Sequence, residues 1–304
     1  MQTILGAGGA IGSILAKELL KFTDQIRLVS RNPKRVNEKD LLFSADLSDP
    51  NQIDAAVAGS EVVYVTVGFE YKIGVWRKQW PPFMRATIDA CLKHKAKLVF
   101  FDNVYMYDQS EISHMTENSK MNPSSQKGQV RKALIDMILE ATTTQNLTAL
   151  IARSADFYGP NIKSSMLQEM VSNNFKKNKA AQWLGGLDFK HSFTYTPDAA
   201  RATALLGNTP DAYNQTWHLP TDPNILTGRE WVELFAKITD KKPKVSVLPK
   251  FLLKTLGLFV PFLGELPEMN YQYQQPYFFD SQKFMNRFPD FQITSYQEGA
   301  EAVI

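Results

Sequence analysis

The stretch Gln2-Thr-Ile-Leu-Gly-Ala-Gly-Gly-Ala-Ile-Gly12 decides the fold. Thr3 to Leu5 is a short apolar run that reads as a buried strand. It breaks at Gly6, and Ile11, Ile14, Leu15 and Leu19 then recur at helical spacing. Gly6, Gly9 and Gly12 fall three residues apart across this strand-to-helix turn. Gly6 permits the tight turn, Gly9 lets a diphosphate approach the backbone, and Gly12 lets the helix pack close to the sheet. The helix start also offers free N–H groups and the positive end of its dipole to phosphate. Ala10 and Ile11 lie on that first turn. The pattern predicts a dinucleotide site because its strand–turn–helix context is complete.

Working outward, apolar runs that read as strands cover Gln25–Ser30, Leu41–Ala45, Val62–Val67, Ala96–Phe101 and Leu147–Ile151. Val62–Val67 is almost unbroken and β-branched, as a parallel strand covered on both faces would be. Helices are predicted between the strands, including 76–95, with Pro81-Pro82 expected in a first turn because proline is not tolerated deeper. Another is predicted over 125–142. This alternation gives a doubly wound parallel α/β sheet. Beyond Pro160 the rhythm loosens. Helices are predicted at 165–176 and at 197–206, with Thr196 as cap. Thr227-Gly-Arg-Glu230 and Thr294-Ser-Tyr-Gln297 read as capping boxes. The expected organisation is a Rossmann domain of residues 1–160 plus about 190–222, and a smaller α/β substrate lobe of 161–189 and 223–304, with a cleft between them.

Polar residues at the strand ends supply the candidate site. Past the second strand stands Arg31, with Lys34 and Arg35 behind it. An acid in that corner would favour NAD, whereas a guanidinium suits the 2′-phosphate of NADP. NADP is therefore expected over NAD, the alternative being a solvated basic loop. Asp46, followed by Leu47, stands where a carboxylate would accept from adenine, or serves as a turn acid. Thr66, Val67 and Gly68 end the fourth strand near the expected cofactor. Asp102, Asn103, Tyr105 and Tyr107 follow the fifth strand, and Asp102 is polar where a packed strand would be apolar. Asp102 is either a base or a group that satisfies loop amides. Trp76, Trp80 and Phe83 read as core or lid, and 71–80 as a flap. Tyr271-Gln-Tyr-Gln-Gln-Pro-Tyr277 reads as a loop stacked on the lobe surface, or as a sugar-binding stretch.

Composition sets bounds. Basic residues (34) barely exceed acidic ones (31), which gives no case for nucleic acid. Cys91 is the single cysteine, read as core, so no internal disulfide forms. No charged leader precedes the first strand, and the expectation is a cytoplasmic protein. Phe251–Leu263 is the most apolar stretch, but it is too short to span a bilayer and reads as a buried helix, so no membrane partner is expected. The four histidines lack metal-ligand spacing, and no metal is predicted.

With these motifs in place, the chain resembles an extended short-chain dehydrogenase/reductase of the NAD(P)-dependent epimerase/dehydratase type. The resemblance rests on the glycine turn, on Arg153-Ser-Ala-Asp-Phe-Tyr-Gly-Pro160, and on His191-Ser-Phe-Thr-Tyr-Thr-Pro-Asp198. Tyr277-Phe-Phe-Asp280 with Lys283 and Phe288-Pro289 extends it. It implies a Ser/Thr, Tyr and Lys catalytic set, with Tyr and Lys four residues apart on one helix face. It also implies a small-molecule substrate such as a nucleotide sugar and a monomer or homodimer. Here Asn103 takes the serine slot, Lys127 the tyrosine slot and Arg131 the lysine slot. No tyrosine lies between Asp108 and Arg153. Lys127 then becomes the expected proton donor, with Tyr105, Tyr107 or Tyr158 as other phenol sources, and Arg131 the holder of the ribose or a substrate anion. Lys127 and Ser154 would also touch the cofactor, and Asp156, Tyr158 and His191 the substrate. The competing expectations are a non-catalytic NADP sensor and a degenerate relative whose Lys127 and Arg131 form a solvated helix face.

Overall fold

The structure is a computed structural model that describes residues 1–162, 165–248, 265 and 267–304. The apolar stretch at 251–263 lies outside the described residues. Seven strands form one parallel sheet: β1 (Gln2–Leu5), β2 (Ile26–Ser30), β3 (Leu41–Ser44), β4 (Val62–Val65), β5 (Lys97–Asp102), β6 (Ala149–Arg153) and β10 (Thr216–His218). Their order is β10-β6-β5-β4-β1-β2-β3. Chain direction across the sheet reverses between β1 and β4, the point at which open α/β sheets bind ligands. All four residues of β1 and of β4 are buried, as their apolar runs require.

The helices of this region are α1 (Ala10–Leu19), α2 (Pro50–Val57), α3 (Ile73–His94), α4 (Gln126–Thr144) and α6 (Thr196–Gly207). Asp49 caps α2 by accepting from the Asn51 N–H at 2.9 Å. Helix α3 begins at Ile73, well ahead of Pro81-Pro82, and contains both prolines in its interior. The expectation of a start at the prolines is corrected. Burial of Trp76, Trp80, Phe83 and Met84 holds the helix together across the break. Trp76 and Trp80 are therefore packed helix residues and not a mobile flap.

Two compact units are distinguished. The first comprises 1–106, 127–154 and 199–219, and the second 107–126, 155–198 and 220–304. Residues 107–126, 155–160, 190–198 and 220–222 thus group with the second unit, where the sequence expectation put them in the first. The second unit holds two parallel pairs: β7 (Asp156–Tyr158) with β9 (Phe193–Tyr195), and β8 (Ala181–Leu184) with β11 (Val245–Leu248). A π-helical turn, Gln168–Ser172, runs into α5 (Asn173–Lys176) in place of a plain α-helix. Helix α7 (Gly228–Ile238) opens on the expected Thr227–Glu230 capping box. The later pair α8 (Gln282–Arg287) and α9 (Tyr296–Glu301) follows.

The capping box of α9 is Ser295 with Glu298, one residue later than read from the sequence. Thr294 is engaged elsewhere, donating its N–H and hydroxyl to the Asp198 carboxylate. Thr196 does not cap α6 with its side chain, because its buried hydroxyl makes no hydrogen bond. Tyr271, Tyr273 and Tyr277 are buried, so this stretch is not a surface loop. Cys91 is buried, and burial pushes its thiol up to about 12.

Candidate functional site

The β1–α1 turn has the shape a diphosphate needs. Gly6 has φ +93°, and a Cβ there would stand 2.7 Å from the backbone of Val67. A Cβ on Gly12 would stand 2.8 Å from Ala7 Cα and from the Gly6 carbonyl oxygen. Both glycines are thus required by close backbone approach, Gly6 to the segment after β4 and Gly12 to the turn itself. Thr66 ties the two segments by donating its hydroxyl to the Leu5 carbonyl at 3.2 Å. Gly8 faces open space, with no atom within 4 Å of a built Cβ. Gly9 starts α1 without a side-chain cap, which leaves the first-turn amides to a ligand. Ile11 and Gly12 are buried beneath the turn. The residues present fit a dinucleotide diphosphate.

At the next two strand ends, Arg31 and Asp46 are exposed neighbours. Asp46 accepts from the Ser48 N–H at 3.0 Å and from its hydroxyl at 2.8 Å. These two bonds lower its carboxyl, with the Arg31 charge a smaller contribution. Asp46 is thus a turn acid here, and adenine would have to share it with Ser48. The Arg31 carbonyl is fixed by the Ser44 hydroxyl at 2.9 Å.

The end of β5 holds a buried ion cluster. Nε and Nη2 of Arg131 both reach Oδ1 of Asp102, at 2.8 and 2.5 Å. Nε of Arg153 reaches Oδ2 at 3.3 Å. Asp102 and Arg153 are register partners on β5 and β6, and Arg131 comes from α4. The Arg131 guanidinium is also covered by the Trp80 and Phe100 rings, 4.6 and 4.8 Å from their centroids. It is 4% exposed. This corrects the expectation that Arg131 holds a ribose or a substrate anion: its fork is committed to Asp102. Asp102 correspondingly serves the cluster and is not a base open to substrate.

Lys127, one turn earlier, has no exposed surface, so the pair is not a solvated helix face. Its Nζ lies 4.6 Å from the centroid of the Tyr71 ring. The Tyr71 hydroxyl donates to the Tyr105 oxygen at 3.3 Å, and the Trp76 ring stacks on Tyr105. Asn103 turns its side-chain oxygen back to the Tyr105 N–H, at 3.0 Å. Ser154 is buried, and its N–H donates to the Asp102 carbonyl at 3.0 Å. Sequence reasoning gave Arg153 no role of its own and placed Tyr71 only at the start of a flap. The signal for the first was a charge at the end of each of two adjacent apolar strands.

In the second unit, Asp156 gathers an imidazole and a phenol. His191 Nε2 lies 3.1 Å from Asp156 Oδ2, and the Tyr273 hydroxyl donates to the same oxygen at 2.8 Å. His191 is stacked between Tyr273 and Tyr277, 4.6 and 4.1 Å from their centroids. It is 2% exposed, so it does not present a face to substrate as expected. Tyr158 is also corrected: it sits in the core against Trp231 and Tyr296, and burial pushes its phenol well up. Asp156 keeps part of its surface exposed.

Residues 3–219 match the model of the NAD dependent epimerase/dehydratase family. The chain belongs to this family. Its fold agrees with solved epimerase/dehydratase structures. One is UDP-glucuronic acid 4-epimerase from Bacillus cereus in complex with UDP-glucuronic acid and NAD, with TM-score 0.80 and 16% identity over 99% of this chain and 97% of that one. A second is UDP-glucose 4-epimerase from Thermus thermophilus with NAD, with TM-score 0.78 and 16% identity over 100% and 97%. A third is dTDP-glucose 4,6-dehydratase from Streptomyces venezuelae, with TM-score 0.78 and 15% identity over 99% and 95%. No curated protein sequence matches the chain. Among the described residues, no helix is long and apolar enough to cross a membrane, and no group of acidic, histidine or cysteine side chains could hold a metal ion.

Proposed function

We propose that this epimerase/dehydratase family member binds a nicotinamide dinucleotide on the β1–α1 turn and uses it to exchange hydride with a polar small molecule such as a nucleotide sugar. The observation that carries the reading is the pair Gly6 and Gly12, where any Cβ would strike backbone. Such closeness holds the tight turn and the packed helix start of a dinucleotide site, with Gly9 and the uncapped first-turn amides left for the diphosphate. The similar solved epimerases, which hold NAD, support a nicotinamide coenzyme. NADP is the preferred form, because Arg31 is exposed at the β2 end and no acid replaces it. When bound, the coenzyme supplies the hydride acceptor or donor.

Calorimetry on the full chain tests this. NADPH is expected to bind more tightly than NADH. Arg31→Ala removes a forked charge-assisted contact of about 1.5–3 kcal/mol and narrows the gap at least tenfold. Equal affinities in the parent protein would remove the NADP preference, and no heat with either coenzyme would remove the whole reading.

A second reading, an NADP sensor without turnover, is favoured by one feature: Arg131, in the slot of the ribose-holding lysine, is bonded to Asp102 through both Nε and Nη2. Screening sugars, carbonyls and quinones for NADPH oxidation separates the two. Turnover of any of them excludes the sensor.

A further inference from the structure

A hydride exchange needs a partner that gives or takes a proton at the substrate oxygen. Lys127 occupies the expected slot, yet it is completely covered and its ammonium rests on an aromatic face. Arg131 is committed to Asp102. The Asn103 side chain is turned back on its own loop. Beside them stand two phenols, Tyr71 and Tyr105, each only half-buried and bonded to one another.

We propose that Tyr105 is the proton-exchanging group and Tyr71 its positioning residue, with the Lys127 ammonium acting through the Tyr71 ring. This assignment rests on the nicotinamide reading above and replaces Lys127 as proton donor. The geometry gives each group one task. The Tyr71 O–H points at the Tyr105 oxygen, so it stabilises that oxygen when it carries negative charge. A cation over a ring face is attracted to its π electrons and draws them away from the hydroxyl, which strengthens the donor. Trp76 holds both phenols in place: it meets Tyr71 edge-on at 5.6 Å and stacks on Tyr105 at 6.3 Å. The ion pair that pins Arg131 fixes the roll of α4, and with it the direction of Lys127 one turn away.

The step balances. In the oxidising direction, a bound nicotinamide would take the substrate C–H electron pair as hydride. The alcohol O–H bond breaks, its proton passes to the Tyr105 phenolate oxygen to give the neutral phenol, and C=O forms. In the reducing direction, Tyr105 returns the proton to the carbonyl oxygen as hydride arrives at carbon.

The test reads tyrosine ionisation by NMR on the full chain with carbon-labelled tyrosine and no coenzyme. Tyr105→Phe identifies the signal. Tyr71→Phe and Lys127→Met are each expected to raise its titration midpoint by about 1 pH unit, and Lys127→Arg, which keeps the charge, to restore most of the parent value. A midpoint that moves in neither Tyr71→Phe nor Lys127→Met overturns the proposal, and so does a signal assigned to Tyr71 that ionises before that of Tyr105. Tyr71→Phe loses only one oxygen, so it stays informative if the Lys127 variants fail to fold. Coenzyme calorimetry on the same samples keeps the two readings apart. Heat of binding with an unmoved midpoint sinks the phenol pair alone, whereas no heat sinks the coenzyme reading and with it the proton-exchange role that rests on it, whatever the midpoints do.

Discussion

Asp102 and Asp156 both stand near strand ends, and each collects donors, but they collect different kinds. Asp102 faces two guanidiniums and is fully covered, at 0% side-chain exposure. Asp156 faces a histidine and a phenol and keeps 17% of its side chain in contact with solvent. A buried carboxylate between fixed cations cannot let go without stranding charge, so it locks geometry. A carboxylate that faces no guanidinium and keeps contact with solvent can exchange a partner for water or a ligand at small cost. In this molecule the locking acid belongs to the same unit as the residues proposed to move protons, and the exchangeable one belongs to the other.

The comparison breaks most easily at Asp102. Asp102→Ala removes the carboxylate both arginines face and is expected to cost about 3–5 kcal/mol of stability, read as a lower urea midpoint. A loss under ~1 kcal/mol would mean the cluster locks nothing. A smaller effect is expected for Arg131→Lys, which keeps the charge but loses the fork, at about 1–3 kcal/mol in the same measurement. Asp156→Asn should be the mildest. The amide oxygen still accepts from Tyr273, so the expected loss is about 0.5–1.5 kcal/mol. If Asp156→Asn proved as damaging as Asp102→Ala, the distinction between locked and exchangeable acids would be gone.

Much of the first unit was legible because its rules are local. The glycines of the opening turn, the β-branched run at Val62–Val65 and the Asp49-Pro50 helix start each carry their reason within a few residues. The Arg131 role was not legible, because its partner lies 29 residues away and only the sheet brings them together. Tyr71 escaped for a similar reason: its relation to Lys127 crosses from the loop before α3 to α4. Thr294 and Ser295 show another limit. Both satisfy the capping-box pattern, and the choice falls to Ser295 because Asp198, far away in sequence, takes Thr294. The burial of Tyr158 and His191 likewise depends on ring neighbours contributed by distant segments.

The two prolines inside α3 have a mechanical consequence. Pro81 and Pro82 carry no amide hydrogen, so the carbonyls of Arg77 and Lys78 lose their rungs in the ladder. The helix is therefore two rods spliced end to end. The rear rod is anchored through Ile88 and Cys91, both at 0% exposure. The front rod carries Trp76 beside Tyr71. With two rungs missing there, the splice is the point at which the helix bends most easily.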